Sequence, residues 1–261
     1  MRPIWSGMLN TVPSRLRRFV AARLSPEGQM GLHLTVGLAL LVLAAWIFGE
    51  IAEDVVTGDT ITLVDVQLAH WFHERATPGF TRAMLVITHW NGIVGSSIMA
   101  VLLALWFWRR HAHYWLIVCV VAVPGGMLLN VALKHVFRRS RPTFDEPLLS
   151  LMTYSFPSGH TAAATVFYGL LACYVVRRVR TWRARALVTL AAVLMVMLVA
   201  LSRMYLGVHY LSDVLAATAE GAAWLAICIT AVSTLHRRRL ARGQTSWSER
   251  AHRAEAAEDL Q

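Results

Sequence analysis

Four cationic side chains lie within eight residues of the sequence, between Lys134 and Arg141. Arginine guanidinium groups bind phosphate oxygens through paired N–H donors, and a lysine adds a compact mobile charge, so this stretch predicts an anion-binding site. Lys134 is the only lysine among the 25 lysine and arginine residues of the chain, which indicates a need for more than generic positive charge. Contact of the same cations with anionic lipid headgroups is the alternative explanation.

A second polar cluster is the sequence Phe-Pro-Ser-Gly-His-Thr at 156–161. Pro157 and Ser158 are typical of a helix start, where free N–H groups and the positive end of the helix dipole bind phosphate. Gly159 lets the backbone approach an anion closely, and His160 is placed to donate a proton. The alternative is an ordinary capped helix with a histidine near its start.

The third cluster lies between Ser202 and Asp213. His209 and Asp213 are four residues apart, so a helix here would place both side chains on one face, where the carboxylate can hold the imidazole. A carboxylate bound to one ring nitrogen leaves the other nitrogen free to act as a nucleophile. The alternative is an interfacial His–Asp pair that only satisfies a helix end.

Long apolar segments must position these clusters. The chain is 56% hydrophobic and 15% charged, whereas soluble domains average about a quarter charged residues. Apolar runs of roughly 17 to 25 residues can cross a bilayer as helices. Six such runs lie at about 33–52, 86–108, 114–133, 160–176, 186–201 and 213–235. The sequence therefore predicts an all-α polytopic membrane protein with a bundle of six transmembrane helices.

One polar stretch outside the termini, residues 53–85, mixes acidic side chains with apolar ones. This composition predicts an amphipathic helix that lies on the extracytoplasmic surface of the membrane.

The distribution of lysine and arginine predicts the orientation in the membrane. Most of the 25 lie in the N-terminal segment, in the loops 109–113 and 177–185, and in the C-terminal segment. Cytoplasmic flanks retain positive charge during insertion, so both termini are predicted to be cytoplasmic. All three clusters then lie on the extracytoplasmic side of the inner (plasma) membrane.

The expected organisation has three parts. A basic cytoplasmic segment at 1–32, without the features of a cleavable signal, precedes a six-span domain at 33–235, and a charged cytoplasmic segment follows at 236–261.

The spacings within the clusters match three motifs of a known family. Lys134 to Pro142 fits K-x6-RP, residues 157–160 fit PSGH, and residues 202–213 fit SR-x5-H-x3-D. The chain therefore resembles the type 2 phosphatidic acid phosphatase (PAP2) superfamily of membrane lipid phosphatases over roughly residues 33–235. The resemblance implies a metal-independent phosphohydrolase that needs no cofactor.

The resemblance also implies a role for each matching position. His209 would attack phosphorus to form a phosphohistidine, Asp213 would orient His209, and His160 would protonate the leaving oxygen and later activate water. The phosphoryl oxygens would be held by Lys134, Arg141, Ser158, Gly159 and Arg203. Phosphoryl transfer depends mainly on positioning and charge stabilisation, so a site with three fixed cations suits it.

Charged residues beside the first cluster allow further predictions. Arg138 and Arg139 are candidates to bind a second phosphate, which would favour a diphosphate substrate. Asp145 and Glu146 are expected to be solvated loop residues rather than catalytic ones.

A metal centre is not expected. His70 and His73 have no third ligand in the sequence and are expected to belong to the amphipathic helix. Cys119, Cys173 and Cys228 all lie in apolar runs, which indicates small core residues rather than disulfides or metal ligands.

The sequence thus predicts a membrane phosphatase that acts on a lipid phosphate. Undecaprenyl diphosphate, phosphatidylglycerol phosphate, phosphatidic acid and a lipid A phosphate all carry an anionic head on an apolar tail. A lipid phosphotransferase with the same intermediate, or a phospholipid transporter or binder, is the alternative; a pure binder needs no His–Asp pair. Six apolar spans argue against the soluble vanadate-dependent haloperoxidases, which share the anion-site pattern. The net charge of +10 is concentrated beside apolar runs, so the membrane rather than nucleic acid is the expected partner.

Overall fold

The computed structural model describes residues 32–258, with side chains described for 34–239. This part of the chain contains eight α-helices and no β-strand, which confirms the all-α prediction. The helices are α1 Leu32–Thr57, α2 Thr60–Glu74, α3 Pro78–Trp90, α4 Ile93–Arg109, α5 His113–Phe137, α6 Gly159–Val176, α7 Trp182–Tyr205 and α8 Leu211–Glu258. The basic segment predicted at the N-terminus lies outside the described residues, apart from its last one.

Six membrane spans are present when the bent pair α3–α4 is counted as one. Within the described residues, α1, α5, α6, α7 and the first part of α8 are each long and apolar enough to cross a bilayer. Large apolar side chains such as Val42 and Trp46 on α1 are more than half exposed. Extensive exposed apolar surface of this kind is typical of helices that contact lipid.

The second span differs from its prediction as one continuous helix at 86–108. It is broken between α3 and α4, where the span bends by 50°. The Asn91 side-chain amide donates to Ile87 O at 2.9 Å, and Gly92 is the extended residue before α4. The hydroxyl of Tyr168 donates to Asn91 Oδ1 at 3.0 Å and holds the break against α6. The physical cause is an Asn-Gly pair, which favours a turn over a continuous helix.

The segment 53–85 also differs from the single surface helix predicted for it. It contains the end of α1, all of α2 and the beginning of α3. Leu63 and Trp71 of α2 are exposed, as an amphipathic surface helix requires, but Asp65 is completely buried. The helix α2 is therefore bound to the interior through a charged side chain, and not only through its apolar face.

The ends of four helices meet at one end of the protein. They are the C-terminal ends of α5 and α7 and the N-terminal ends of α6 and α8, because successive spans alternate in direction. The helix α6 packs against both α5 and α7. It also lies close to α8, since a Cβ on Gly221 would come within 2.8 Å of Thr165 Cβ.

The chain divides into two compact units. Leu40–Cys228 form one unit, which contains every residue discussed below. The other unit comprises Met1–Ala39 and Ile229–Gln261, and in it Gly37 lies against the side chain of Thr230. The helix α8 continues to Glu258, so the charged segment predicted at 236–261 is helical over most of its length.

Candidate active site

A cavity of about 340 Å³ lies where the four helix ends meet. Its charged and titratable lining consists of Lys134, Arg141, His160, Arg203 and His209. Residues from all three sequence clusters therefore share one cavity. Other walls are apolar, with Ile93, Met127, Val131, Ala162 and Ala163 among the lining residues.

Arg141 is held by the loop between α5 and α6. Its Nε donates to Thr153 O at 2.7 Å, and its Nη2 donates to Tyr154 O at 3.0 Å. Its Nη1 donates to Val208 O at 2.5 Å and lies 3.1 Å from Nε2 of His209. These contacts fix the guanidinium group beside one nitrogen of the imidazole.

Lys134 lies in the last turn of α5 and reaches the same loop. Its Nζ donates to Tyr154 O at 2.8 Å and to Ser155 O at 3.2 Å. An ammonium group has three N–H donors, so one donor remains for an anion in the cavity.

Arg203 lies in the last turn of α7 and is 1% exposed. Its Nη1 donates to the hydroxyl of Thr88 on α3, whereas Nε and Nη2 are buried and have no hydrogen-bond partner in the described part of the chain. A buried charged group with unused donors is costly unless something else satisfies them. The cavity that Arg203 lines is the place where an anion can do so.

The start of α6 agrees with the sequence pattern. Ser158 is the extended residue before the helix, and its N–H donates to Asp213 O at 3.0 Å. The first turn of a helix leaves N–H groups without intrahelical acceptors, and here these include Gly159 and His160. Ser158 itself is completely buried and does not line the cavity.

A Cβ on Gly159 would come within 3.1 Å of Asn130 Oδ1, so glycine permits this close contact with α5. The second residue of α6, His160, faces the break between α3 and α4. Its Nε2 lies 3.6 Å from the place that a Cβ on Gly92 would occupy.

His209 and Asp213 form the expected pair, but the two side chains do not meet on one face of a helix. Nδ1 of His209 lies 3.2 Å from Asp213 Oδ2, which also accepts from Tyr210 N at 2.9 Å. His209 lies in the turn before α8 and not on a helix face. The two meet because a carboxylate in the first turn of α8 accepts from the backbone that enters the helix.

The turn that carries His209 depends on Gly207. Gly207 has a φ of +67°, which L side chains rarely adopt, and a Cβ there would come within 2.8 Å of the ring of Phe144.

Both ring nitrogens of His209 have partners that require the same tautomer. A carboxylate accepts hydrogen bonds and a guanidinium group only donates them, so the contacts with Asp213 and Arg141 place the proton on Nδ1 and the lone pair on Nε2. Burial lowers the pKa of His209 well below its ordinary value, and the positive charges of Arg141, Arg203 and Lys134 lower it further. The imidazole is neutral at neutral pH, as a nucleophile must be.

Arg138 and Arg139 do not line the cavity. Arg138 is exposed, and its Nε donates to His135 O at 2.9 Å. Arg139 donates to Asp65 Oδ2 at 2.8 Å and to Asp213 Oδ1 at 2.7 Å. The geometry gives no support to the predicted role of these two arginines at a second phosphate.

Three polar residues that support the site are not among the residues predicted from the sequence. Thr88 holds Arg203, Asp65 holds Arg139, and Glu220 on α8 accepts from Asn130 Nδ2 at 2.8 Å. Glu220 was detectable as a carboxylate inside an apolar run, which is often functional or structural. Its Oε1 is buried without a partner in the described residues.

The other candidates lie apart from the cavity. His73 stacks on Phe144 with ring centroids 4.1 Å apart, whereas Asp145 and Glu146 are exposed. Within the part of the chain that the structure describes, no group of three or more His, Cys, Asp or Glu side chains could hold a metal ion.

Known proteins resemble this chain in sequence. Residues 113–237 match the model of the PAP2 superfamily. Phosphatidylglycerophosphatase B of Bacillus subtilis (strain 168) is 33% identical over 144 residues, which is 53% of this chain and 68% of that protein.

Two crystal structures resemble the chain in fold. The first transmembrane PAP2-type phosphatidylglycerolphosphate phosphatase from Bacillus subtilis has a TM-score of 0.62 at 25% identity, over 74% of this chain and 93% of that one. Aquifex aeolicus LpxE has a TM-score of 0.51 at 20% identity, over 63% of this chain and 94% of that one, a likeness that concerns the fold alone.

Proposed function

Because this chain belongs to the PAP2 superfamily and is a multi-pass membrane phosphatase, we propose that it removes phosphate from a membrane lipid through a phosphohistidine on His209. The observation that carries the proposal is the buried guanidinium of Arg203. Its Nε and Nη2 have no partner in the described residues, and the side chain lines the same cavity as His209, whose Nε2 carries the lone pair. A phosphoryl group placed there satisfies the cation and meets the nucleophile.

The first step transfers the phosphoryl group to the enzyme. Nε2 of His209 forms a bond to phosphorus while the bond from phosphorus to the lipid oxygen breaks. His160, protonated once the anionic phosphoryl group is bound, gives this proton to that oxygen and becomes neutral, so the lipid leaves as a neutral alcohol. The proton on His209 Nδ1 stays in place, and Asp213 stabilises the positive ring that results.

The second step returns the phosphoryl group to water. Neutral His160 accepts a proton from a water molecule as that oxygen bonds to phosphorus, and the bond from phosphorus to Nε2 breaks. Inorganic phosphate leaves, and both histidines regain their starting protonation.

Three cations stabilise the charge on the phosphoryl oxygens in both steps. Arg203 supplies two donor nitrogens that have no partner in the described residues, Lys134 supplies one N–H, and the charge of Arg141 lies close by, with its Nη1 3.1 Å from the attacking Nε2. The Gly159 amide at the start of α6 is a further donor. Ser158 acts indirectly, because its hydroxyl accepts from Thr161 Oγ1 at 3.1 Å and its N–H fixes α6 to Asp213.

Phosphatidylglycerol phosphate is the substrate that we propose. The sequence match and the structural match from Bacillus subtilis are both named for that activity, and both cover most of the length of the matched chain. A phosphomonoester also suits the site better than a diphosphate, since the donors of Arg139 are used by buried carboxylates. The apolar lining of the cavity, including Ile93 and Met127, suits the lipid portion next to the head.

We place this chemistry on the extracytoplasmic side, with both termini in the cytoplasm. The support is the concentration of arginine in the segments at the opposite ends of the spans.

The experiment that tests the proposal is phosphate release by the full chain purified in detergent. The substrates are phosphatidylglycerol phosphate, phosphatidic acid, undecaprenyl diphosphate and lipid A. We expect the highest kcat/KM with phosphatidylglycerol phosphate. The variant His209→Ala should lose roughly a thousandfold or more of kcat, as removal of a nucleophile does.

The matched control is His113→Ala, an exposed histidine at the opposite end of α5. Its kcat should equal that of the unmodified protein. Full activity of His209→Ala would refute the mechanism. A clear preference for another lipid would refute the substrate and leave the mechanism standing.

A further inference from the structure

Asp65 is a completely buried carboxylate on α2, outside the stretch 113–237 that matches the family model. Its Oδ1 accepts from Ser212 N at 2.9 Å. Its Oδ2 accepts from Ser212 Oγ at 2.5 Å and from Arg139 Nη2 at 2.8 Å. The carboxylate thus accepts three hydrogen bonds, two from Ser212, the residue before Asp213, and one from Arg139.

Arg139 connects Asp65 to the catalytic pair. Its Nη1 donates to Asp213 Oδ1 at 2.7 Å and to Ser212 Oγ at 2.6 Å, while Nη2 faces Asp65. The Cζ atom of Arg139 lies 4.4 Å from the centre of the Tyr210 ring. Asp213 is left with Oδ2 for His209, so each of its oxygens has a separate partner.

The charges of this group explain why two carboxylates are needed. Asp213 and Arg139 alone sum to zero, which would leave little negative charge to face the imidazole. Asp65 takes up part of the charge of Arg139 and brings the group to a net charge of −1. A ring that carries a phosphoryl group on Nε2 and a proton on Nδ1 has a formal charge of +1, which this group balances.

We propose that Asp65 is a positioning residue for phosphoryl transfer: it holds Arg139 between two carboxylates, so that Asp213 keeps its orientation and its negative charge toward His209. This inference rests on the proposed role of His209 as the nucleophile. It gives Arg139 a structural and electrostatic role in place of a second-phosphate contact.

A purely structural role for Asp65 makes a different prediction. If the carboxylate only attaches α2 to the start of α8, its replacement should lower the stability of the protein. Removal of Arg139 as well should then lower both stability and kcat further. If its charge matters, removal of Arg139 in the same chain should improve catalysis, because Asp213 then faces His209 with its full charge.

The test uses four variants of the full chain in detergent with phosphatidylglycerol phosphate as substrate. They are Asp65→Asn, Arg139→Gln, the double variant, and Asp59→Asn as a matched control. Asp59 is the exposed residue that caps the start of α2, where its Oδ1 accepts from Thr60 N at 2.6 Å. The measured quantities are kcat, KM and the midpoint of thermal unfolding.

We expect Asp65→Asn to lower kcat about tenfold or more with KM nearly unchanged, as loss of one charge interaction near the reacting ring does. The double variant should regain part of that loss, and Asp59→Asn should keep the kcat of the unmodified protein. The proposal is overturned if Asp65→Asn keeps normal kcat, or if the double variant is no faster than Asp65→Asn.

His209→Ala in the same assay separates the two levels of inference. If it stays active, the proposed function fails. If it is inactive while Asp65→Asn behaves normally, only the role of Asp65 is wrong.

Discussion

Replacement of Arg203 by lysine tests the phosphate site most directly. Lysine keeps the positive charge but presents one compact donor group, whereas Arg203 offers two separate free nitrogens, Nε and Nη2, to the cavity. The variant therefore loses one of two charge-assisted hydrogen bonds to the phosphoryl group. It also loses the contact with Thr88 that orients the side chain.

The size of the effect follows from the bond that is lost. One hydrogen bond to a charged group contributes about 1.5–3 kcal/mol. Since about 1.4 kcal/mol corresponds to a tenfold change, kcat/KM should fall roughly 10- to 150-fold. Arg203→Met removes both bonds and the charge, so kcat/KM should fall by about a hundredfold or more, the product of two such losses.

Stability should change in the opposite direction. Without a ligand, the guanidinium of Arg203 is buried, its Nε and Nη2 lack partners among the residues the structure describes, and the cations Arg141 and Lys134 line the same cavity. Methionine removes this cost, so the unliganded Arg203→Met variant should unfold at the same temperature as the unmodified protein or at a higher one.

The assay is phosphate release from phosphatidylglycerol phosphate, with thermal unfolding measured on the same samples. Arg138→Lys is the matched control, because Arg138 is exposed and its Nε donates only to a carbonyl of its own helix. A folded Arg203→Lys variant with kcat/KM within about twofold of normal would show that Arg203 does not bind the phosphoryl group.

Four other predictions concern the chemistry, the topology and the frame of the site. Vanadate should inhibit and EDTA should not; loss of activity in EDTA that a divalent metal restores would contradict metal independence. Because burial lowers its pKa, His209 should remain neutral at about pH 6, and ¹⁵N NMR of labelled histidines, with His209→Ala to assign the signal, should show it. A cysteine introduced at position 145 should react with impermeant reagents from outside the cell; reaction only after permeabilisation would invert the topology. Glu220→Gln should remain stable, whereas Glu220→Leu should lose about 1–3 kcal/mol in unfolding assays, because it leaves the Asn130 amide with only its long contact to Pro157 O at 3.5 Å.

The sequence predicts the composition of the cavity well because three regularities combine. Apolar runs of the right length define the spans, successive spans alternate in direction, and the polar clusters occur at alternate junctions. Lys134 at the end of α5 and Arg203 at the end of α7 must then lie at the same end of the protein as His160 at the start of α6. Each of these inferences needs only local sequence and the thickness of a bilayer.

Contacts between distant parts of the chain are what the sequence could not predict. Asp65 is 74 residues from Arg139 and 147 from Ser212. A single aspartate in a polar segment looks the same whether it is solvated or buried, so nothing local distinguishes it. Thr88, which is 115 residues from Arg203, is hidden for the same reason.

At two places a local signal for a turn competes with a stronger pattern in the same residues. The Asn91-Gly92 pair favours a break, but the apolar residues around it suggested one continuous span. The spacing of His209 and Asp213 suggested a helix face, although Gly207 with its φ of +67° forms a turn there. The pair still forms, because a carboxylate four residues later can also reach back to the start of its helix.

The two sides of His209 have opposite charge, and this asymmetry connects the fold to the reaction. On the cavity side, Nε2 faces Arg141 with Arg203 and Lys134 nearby, which lowers the cost of bringing an anion to a buried nucleophile. On the other side, Nδ1 faces Asp213. Cations alone would disfavour the positive ring of a phosphohistidine, and carboxylates alone would repel the substrate. In the proposed mechanism, placing them on opposite nitrogens of one imidazole lets the same residue attack an anion and then carry its phosphoryl group.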